Sequence, residues 1–210
     1  MSSLRQLLAT HAPLLVIDAA SARVQVGWIA PEREPRWIAL DEEAGTGVFR
    51  GVAALDVRPG DAGAFVFCDG PGSVLGIRTA AMALRAWHTL TPRPMFAYHS
   101  LALVAEALRR PDVNIIADAR RDSWHCLALG GPLRRVPTAD LVGELVMPEG
   151  FRHWTPLPRD VAQVPYSVSD LLSRIPEADV FRATEAPDAF LHEEPSYATW
   201  TPQVHRAPAS

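Results

Sequence analysis

The sequence predicts an α/β fold built twice over, as two related lobes, and three observations carry that expectation. First, Asn114-Ile115-Ile116-Ala117-Asp118-Ala119 repeats Leu14-Leu15-Val16-Ile17-Asp18-Ala19 at an offset of 100 (residue 114 against residue 14). In both copies an apolar run ends in Asp, a short turn follows, and an apolar strand returns, over residues 24–29 in the first and 124–129 in the second. Second, apolar runs of strand length alternate with segments of helical periodicity. Third, 210 residues suffice for one domain or two small lobes with a core that needs no metal or disulfide.

Each element follows from its local pattern. Residues 14–17 are continuously apolar and read as a buried strand, which the turn Ala19-Ala20-Ser21 folds into a hairpin. A third strand covers residues 36–40. Residues 44–55 are weakly helical, because Gly45, Gly47 and Gly51 each cost about 1 kcal/mol against Ala. Residues 64–68 form another buried strand, and a helix is expected over 75–90. After a strand at 95–98, Ser100 is expected to cap a helix through Arg110, stopped by Pro111. The repeat then supplies two more strands. Nine of the 19 prolines fall in residues 146–210, which predicts irregular structure wrapped on the second lobe and a disordered tail. The expected division is 1–98, 99–201 and a tail over 202–210.

Composition excludes several chemistries. All 20 basic residues are Arg, so a Lys Schiff base, a pyridoxal-phosphate site and a Walker-A loop are ruled out. The seven histidines show no spacing of three or four residues, so no pair forms a one-face metal set on a helix. Cys68 and Cys126 lie in apolar segments and read as reduced core thiols. A net charge of −4 gives no general pull toward nucleic acid. No segment has the length of a membrane span, and the N-terminus lacks a secretion signal, so a cytoplasmic protein is expected.

Gly70-Pro71-Gly72-Ser73 lies between a buried strand and a helix, where free N–H groups and the helix dipole attract anions. Position 75 is Leu, so neither a dinucleotide fingerprint nor a nucleophile elbow is present. Gly70, Gly72, Ser73, Arg78, Asp18 and Asp118 are the candidate anion or nucleotide contacts. Arg78, in the first helical turn, is expected to bond loop carbonyls or hold an anion. A strand-end Asp such as Asp18 or Asp118 also commonly caps its own turn. The helix over 75–90 has apolar or small residues around well over half its circumference, more than one core stripe needs. Thr79, Met82, Ala83, Ala86 and Leu90 are therefore the candidate partner interface.

The run Asp69-Gly70-Pro71-Gly72-Ser73-Val74-Leu75-Gly76-Ile77-Arg78 resembles the Gly-Pro-Gly-Ser-Phe-Thr-Gly-Leu-Arg signature of the TsaB (YeaZ) family. Residues 14–19, Ser100-Leu101 with its helix, and Ile116-Ala117-Asp118-Ala119-Arg120-Arg121 match that family in order, so the resemblance spans about residues 13–130. Glu194-Pro195-Ser196-Tyr197 is similar to its closing Pro-x-Tyr. The chain departs from the pattern at Ala19, where Thr is usual, at Val74-Leu75, and at the Gly-rich 44–55 segment.

The resemblance implies an actin-like (ASKHA) duplicated fold with ribonuclease H-like sheets. It implies a non-catalytic subunit that binds a TsaD-like protein, joined by a TsaE-like ATPase, to make threonylcarbamoyladenosine in tRNA. tRNA would be met only indirectly, no intrinsic cofactor is expected, and ATP or ADP would bind only at a partner interface. Two alternatives stay open: a small phosphoryl- or acyl-transfer enzyme with its cleft between Asp18, Gly72 and Asp118, and a stand-alone homodimer without the tRNA role.

Overall fold

The computed structural model describes residues 1–158 and 161–190. The expected tail over 202–210 and the Glu194-Pro195-Ser196-Tyr197 segment lie outside the described residues. In chain order the elements are α1 (Leu4–His11), β1 (Leu14–Asp18), β2 (Val24–Ile29), β3 (Arg36–Leu40), α2 (Ala44–Ala54), β4 (Ala64–Gly70), α3 (Val74–Leu90), β5 (Met95–His99) and α4 (Ser100–Leu108). Then come β6 (Val113–Asp118), β7 (Ser123–Ala128), β8 (Arg134–Pro137), β9 (Glu144–Pro148), β10 (Ala162–Val164), α5 (Val168–Arg174) and β11 (Arg182–Ala183).

The repeat is real at the level of topology. The first sheet runs β11-β5-β4-β1-β2-β3 and the second β10-β9-β6-β7-β8. Set β11 aside and the two orders coincide, with β1 replaced by β6. β1 pairs antiparallel with β2 and parallel with β4, as β6 pairs antiparallel with β7 and parallel with β9. Asp18 and Asp118 close corresponding strands, and each accepts the N–H two residues on, from Ala20 at 3.0 Å and Arg120 at 2.6 Å. The two halves differ between their last pair of parallel strands. A long helix, α3, joins β4 to β5, whereas the described residues between β9 and β10 include no helix.

Side-chain alternation explains how the first sheet is buried on both faces. Leu15, Ile17, Val24, Val26, Phe65 and Phe67 pack with α2 and α3. Leu14, Val16, Val66 and Cys68 face the larger core, shared with Leu101, Val104, Ile115 and Trp124. α4 therefore lies in the core between the halves. Both cysteines are free and buried. No helix among the described residues is long and apolar enough to cross a membrane.

The glycines of α2 have a packing reason. A Cβ on Gly47 would sit 3.0 Å from Val24 Cγ2, and one on Gly51 would sit 2.5 Å from Val26 Cγ2. One turn apart on one face, they let α2 lie closer to β2 than any larger residue allows.

Three expectations change. The proline-rich region after residue 145 is not irregular throughout: it supplies β10, α5 and β11. Ser167 caps α5, its Oγ accepting from the Asp170 N–H. α1 was not expected, although Ser3 and Gln6 form its reciprocal capping box. Ser100 does not cap α4; it is the first helical residue, and its Oγ donates to the Pro71 carbonyl at 2.5 Å.

A buried polar joint ties the halves together. Asp18 is fully buried, and its Oδ2 accepts from the hydroxyls of Tyr98 and Tyr166, each at 2.7 Å. Across the hairpin, Gln25 pairs with Asp18 in register; its Nε2 donates to the Tyr166 carbonyl at 3.2 Å and its Oε1 accepts from the Val168 N–H at 2.9 Å.

Burial raises the pKa of Asp18 above its ordinary 3.8, against the lowering effect of the hydrogen bonds from Tyr98, Tyr166 and Ala20. Between 3.8 and the raised folded value, the native state holds more protons than the unfolded chain. Asp18 therefore contributes a stability that falls as pH rises through that window. Unfolding Asp18→Asn and wild type in urea at several pH values is expected to show the variant gaining relative to wild type as pH rises from about 4. A stability difference that stays constant with pH would show that Asp18 titrates normally.

Candidate functional site

In open α/β sheets, ligands bind beyond the carboxyl ends of the strands. Here those ends present Asp18, Asp69, His99 and Asp118, with the 70–73 loop running into α3. The sequence brings this loop close to the first hairpin through two glycines. A Cβ on Gly72, where φ is +154°, would meet the Ala20 carbonyl oxygen at 2.4 Å, and one on Gly76 would meet the Ala19 oxygen at 2.2 Å. The signature spacing thus docks the N-terminus of α3 against the turn after β1.

That docking uses the groups an anion would want. The Ser73 N–H donates to the Ala20 carbonyl at 2.7 Å, and the Gly76 N–H donates to Ser73 Oγ at 3.3 Å. The helix N-terminus is capped from within the chain, which leaves fewer donors for a ligand.

The strand-end acids are likewise satisfied internally. Asp18, a candidate ligand contact, is sealed by the two tyrosines and Ala20 and presents nothing to the surface. Asp118 accepts from the N–H groups of Arg120, Trp154 and Thr155 and from the Thr155 hydroxyl. Burial pushes its carboxyl up, but these hydrogen bonds outweigh it and hold the pKa below the ordinary value. It anchors the loop after β9 rather than offering a base. Burial pushes the Cys68 thiol well up, which removes its nucleophilic character.

Asp69 was not singled out in the sequence, and it is the post of the site. It is buried, ion-paired with Arg182, and its Oδ1 lies 3.0 Å from His99 Nδ1. Burial depresses the His99 pKa, so the ring is neutral and donates to Asp69 from Nδ1. The Asp69 carbonyl accepts the Phe190 N–H at 2.7 Å. Phe190 packs edge-on against His99 at 4.9 Å between centroids and reaches His125 of the second sheet at 6.4 Å. Residues 182–190 therefore form a strap across the 70–73 loop. Position alone gave a signal for Asp69, since it immediately precedes Gly70; nothing in the sequence announced Arg182.

Arg78 is also held by the strap. Its Nε lies 3.5 Å from one oxygen of Asp188, whose other oxygen lies 3.7 Å from Arg85 Nη2. Of the two roles expected for Arg78, the structure shows it beside an anion, and that anion is the chain's own carboxylate. Arg85 and Arg182 are further cations at this site.

The candidate interface divides. Ala83 is 4% exposed and belongs to the core with Val48 and Val52, because α2 covers that side of α3. Phe49 of α2 stacks edge-on to Trp87 of α3 at 6.0 Å. Thr79 is half-buried, whereas Met82, Ala86 and Leu90 are exposed. The free stripe runs along Leu75, Met82 and Leu90, 78%, 68% and 82% exposed, and extends to Phe49 at 51%.

These contacts set three expected stability losses. Gly76→Ala places a methyl in the Ala19 carbonyl and is expected to cost about 2–3 kcal/mol in urea unfolding. Arg182→Ala strands the buried Asp69 carboxylate and is expected to cost about 3 kcal/mol. Asp188→Ala breaks only half-exposed ion pairs and is expected to cost less than about 1 kcal/mol. Equal losses at 182 and 188 would show that the strap is held by its surface charges.

Neither a protein-family model nor a curated protein matches the chain. Solved structures do. YeaZ from Pseudomonas aeruginosa superposes with a TM-score of 0.59 at 22% identity, over 77% of this chain and 90% of that one. An uncharacterized protein with similarity to peptidase YeaZ, from Pseudomonas aeruginosa, gives a TM-score of 0.55 at 22% identity, over 77% of this chain and 88% of that one. With its two mixed sheets in one repeated order and its Gly-Pro-Gly-Ser loop docked on the first hairpin, the chain has the two-lobed α/β fold of YeaZ.

Proposed function

We propose that this chain is a non-catalytic scaffold subunit of the TsaB type. It docks a TsaD-like protein in threonylcarbamoyladenosine modification of tRNA, with a TsaE-like ATPase joining the pair. The observation that carries the reading is the apolar stripe of α3 at Leu75, Met82 and Leu90, extended by Phe49. Large apolar side chains exposed along one helix face are an association hazard on a monomer and a binding face on a subunit. Arg78 and Arg85 flank it and supply a polar rim.

The strand-end chemistry supports the non-catalytic part. Asp18, Asp69 and Asp118 are each held by donors from within the chain, and a general base must instead reach its substrate's proton. Phosphoryl or acyl transfer between Asp18, Gly72 and Asp118 gains no support from this geometry. On this reading the protein works in the cytoplasm, and ATP or ADP binds only at the partner interface.

Met82→Arg tests the docking face. Position 82 is exposed, so the fold is expected to survive by circular dichroism. An unpaired guanidinium buried in the interface costs roughly 3 kcal/mol, so co-purification with the TsaD-like protein of the same genome should weaken about 100-fold. Size-exclusion chromatography of the wild type and of Met82→Arg, each without the partner, reports whether the same face forms a homodimer. A folded variant that still binds its partner at full strength would place the contact elsewhere.

A further inference from the structure

The turn joining β6 to β7 holds three successive non-glycine residues in left-handed backbone: Arg120 (φ 62°), Arg121 (φ 52°) and Asp122 (φ 52°). Bulky L-residues rarely adopt this conformation. Glycine would meet the same backbone demand without a steric cost, so what arginine adds here is its guanidinium. Arg120 and Arg121 are both exposed. The Arg120 guanidinium lies 3.1 Å from the centroid of the Trp154 ring, and Trp154 is 59% exposed. The backbone that carries the indole is held in place, because the Trp154 backbone N–H donates to Asp118 at 2.5 Å and Thr155 binds the same carboxylate. Arg152, also exposed, precedes it on this loop.

Charge pairing distinguishes the two ends of the second sheet. At the far end, Arg110 is neutralised by Asp112 and Glu144. At this end, Arg120, Arg121 and Arg152 have no ion pair among the described residues. The Asp118 carboxylate is already filled by four donors, which leaves Asp122 as the exposed acid of the turn.

We infer that this end of the second sheet is a contact surface for single-stranded RNA. Guanidinium forks match phosphate oxygens; exposed Arg121 follows Arg120 in the turn, and exposed Arg152 lies two residues before the indole that Arg120 covers. Unpaired bases stack on exposed aromatic rings and arginine planes, which a duplex does not permit. An acidic peptide would use the arginines and leave the indole idle. The chain's net charge of −4 does not oppose the contact, because salt confines each field to about 8 Å under physiological conditions. The surface is distinct from the α3 stripe and does not depend on the docking reading.

The test is fluorescence anisotropy of the whole chain with a labelled oligouridine of about 12 nucleotides, from about 50 to 200 mM NaCl. Three phosphate contacts predict a log–log salt slope of about −2. The double variant Arg121→Gln, Arg152→Gln is expected to bind at least about tenfold more weakly at the lowest salt, with a slope near −0.7. Trp154→Ala should weaken binding severalfold and leave the slope unchanged, because it removes a stacking platform and no charge. Arg33→Gln, at an exposed position in the other lobe, should bind as wild type. Circular dichroism checks that each variant is folded. The inference is overturned by a wild type that does not bind, by a folded double variant that binds as wild type, or by an equal loss in Arg33→Gln. Tighter binding to labelled polyglutamate, indifferent to Trp154→Ala, overturns it in favour of an acidic protein segment.

Discussion

A carboxylate removed from water costs several kcal/mol unless donors surround it, and Asp18 is wholly removed. Its donors come from three places: its own turn, the end of β5 and residue 166. That requirement draws the chain after β10 back across the first hairpin. Gln25 extends the same clamp to the entry of α5. With α5 so placed against α4, residues 182–183 are carried to the edge of β5. The relation between the two halves therefore follows from satisfying one buried acid.

The repeat was legible because it lies in contiguous apolar runs, and the strands at 14–18, 24–29, 36–40 and 64–70 follow from their own residues. The helices at the margins were missed although short-range signals were present: Ser3 with Gln6 before α1, and Ser167 with Asp170 before α5. In the second case the proline count outweighed the cap. The glycines of α2 looked like a propensity loss. Their benefit, close approach to Val24 and Val26, lies in another element and cannot be read locally.

The site was legible only in part, for a related reason. Asp18 and Asp118 occupy equivalent positions, yet one is sealed by tyrosines and the other tied to backbone N–H groups of a loop. Those partners lie between 36 and 148 residues away. The same holds for Arg78, whose counter-charge at Asp188 belongs to the strap. Helical periodicity correctly found that α3 has too much apolar surface for a single stripe. It could not say which side α2 would take, so Ala83 was grouped with Met82 although only Met82 is free.

The pairing of β11 with β5 has a consequence in time. β5 ends at residue 99 and its outer neighbour at residue 183, a separation of 84 residues (183 less 99). At roughly 5–20 residues per second, a ribosome takes about 4–17 s to make that interval. Throughout it the outer edge of β5 lacks its strand, and a bare edge is a template for pairing with another chain. The first sheet thus begins early in synthesis and closes late. Crowded nascent chains are exposed for seconds to capture at one defined strand.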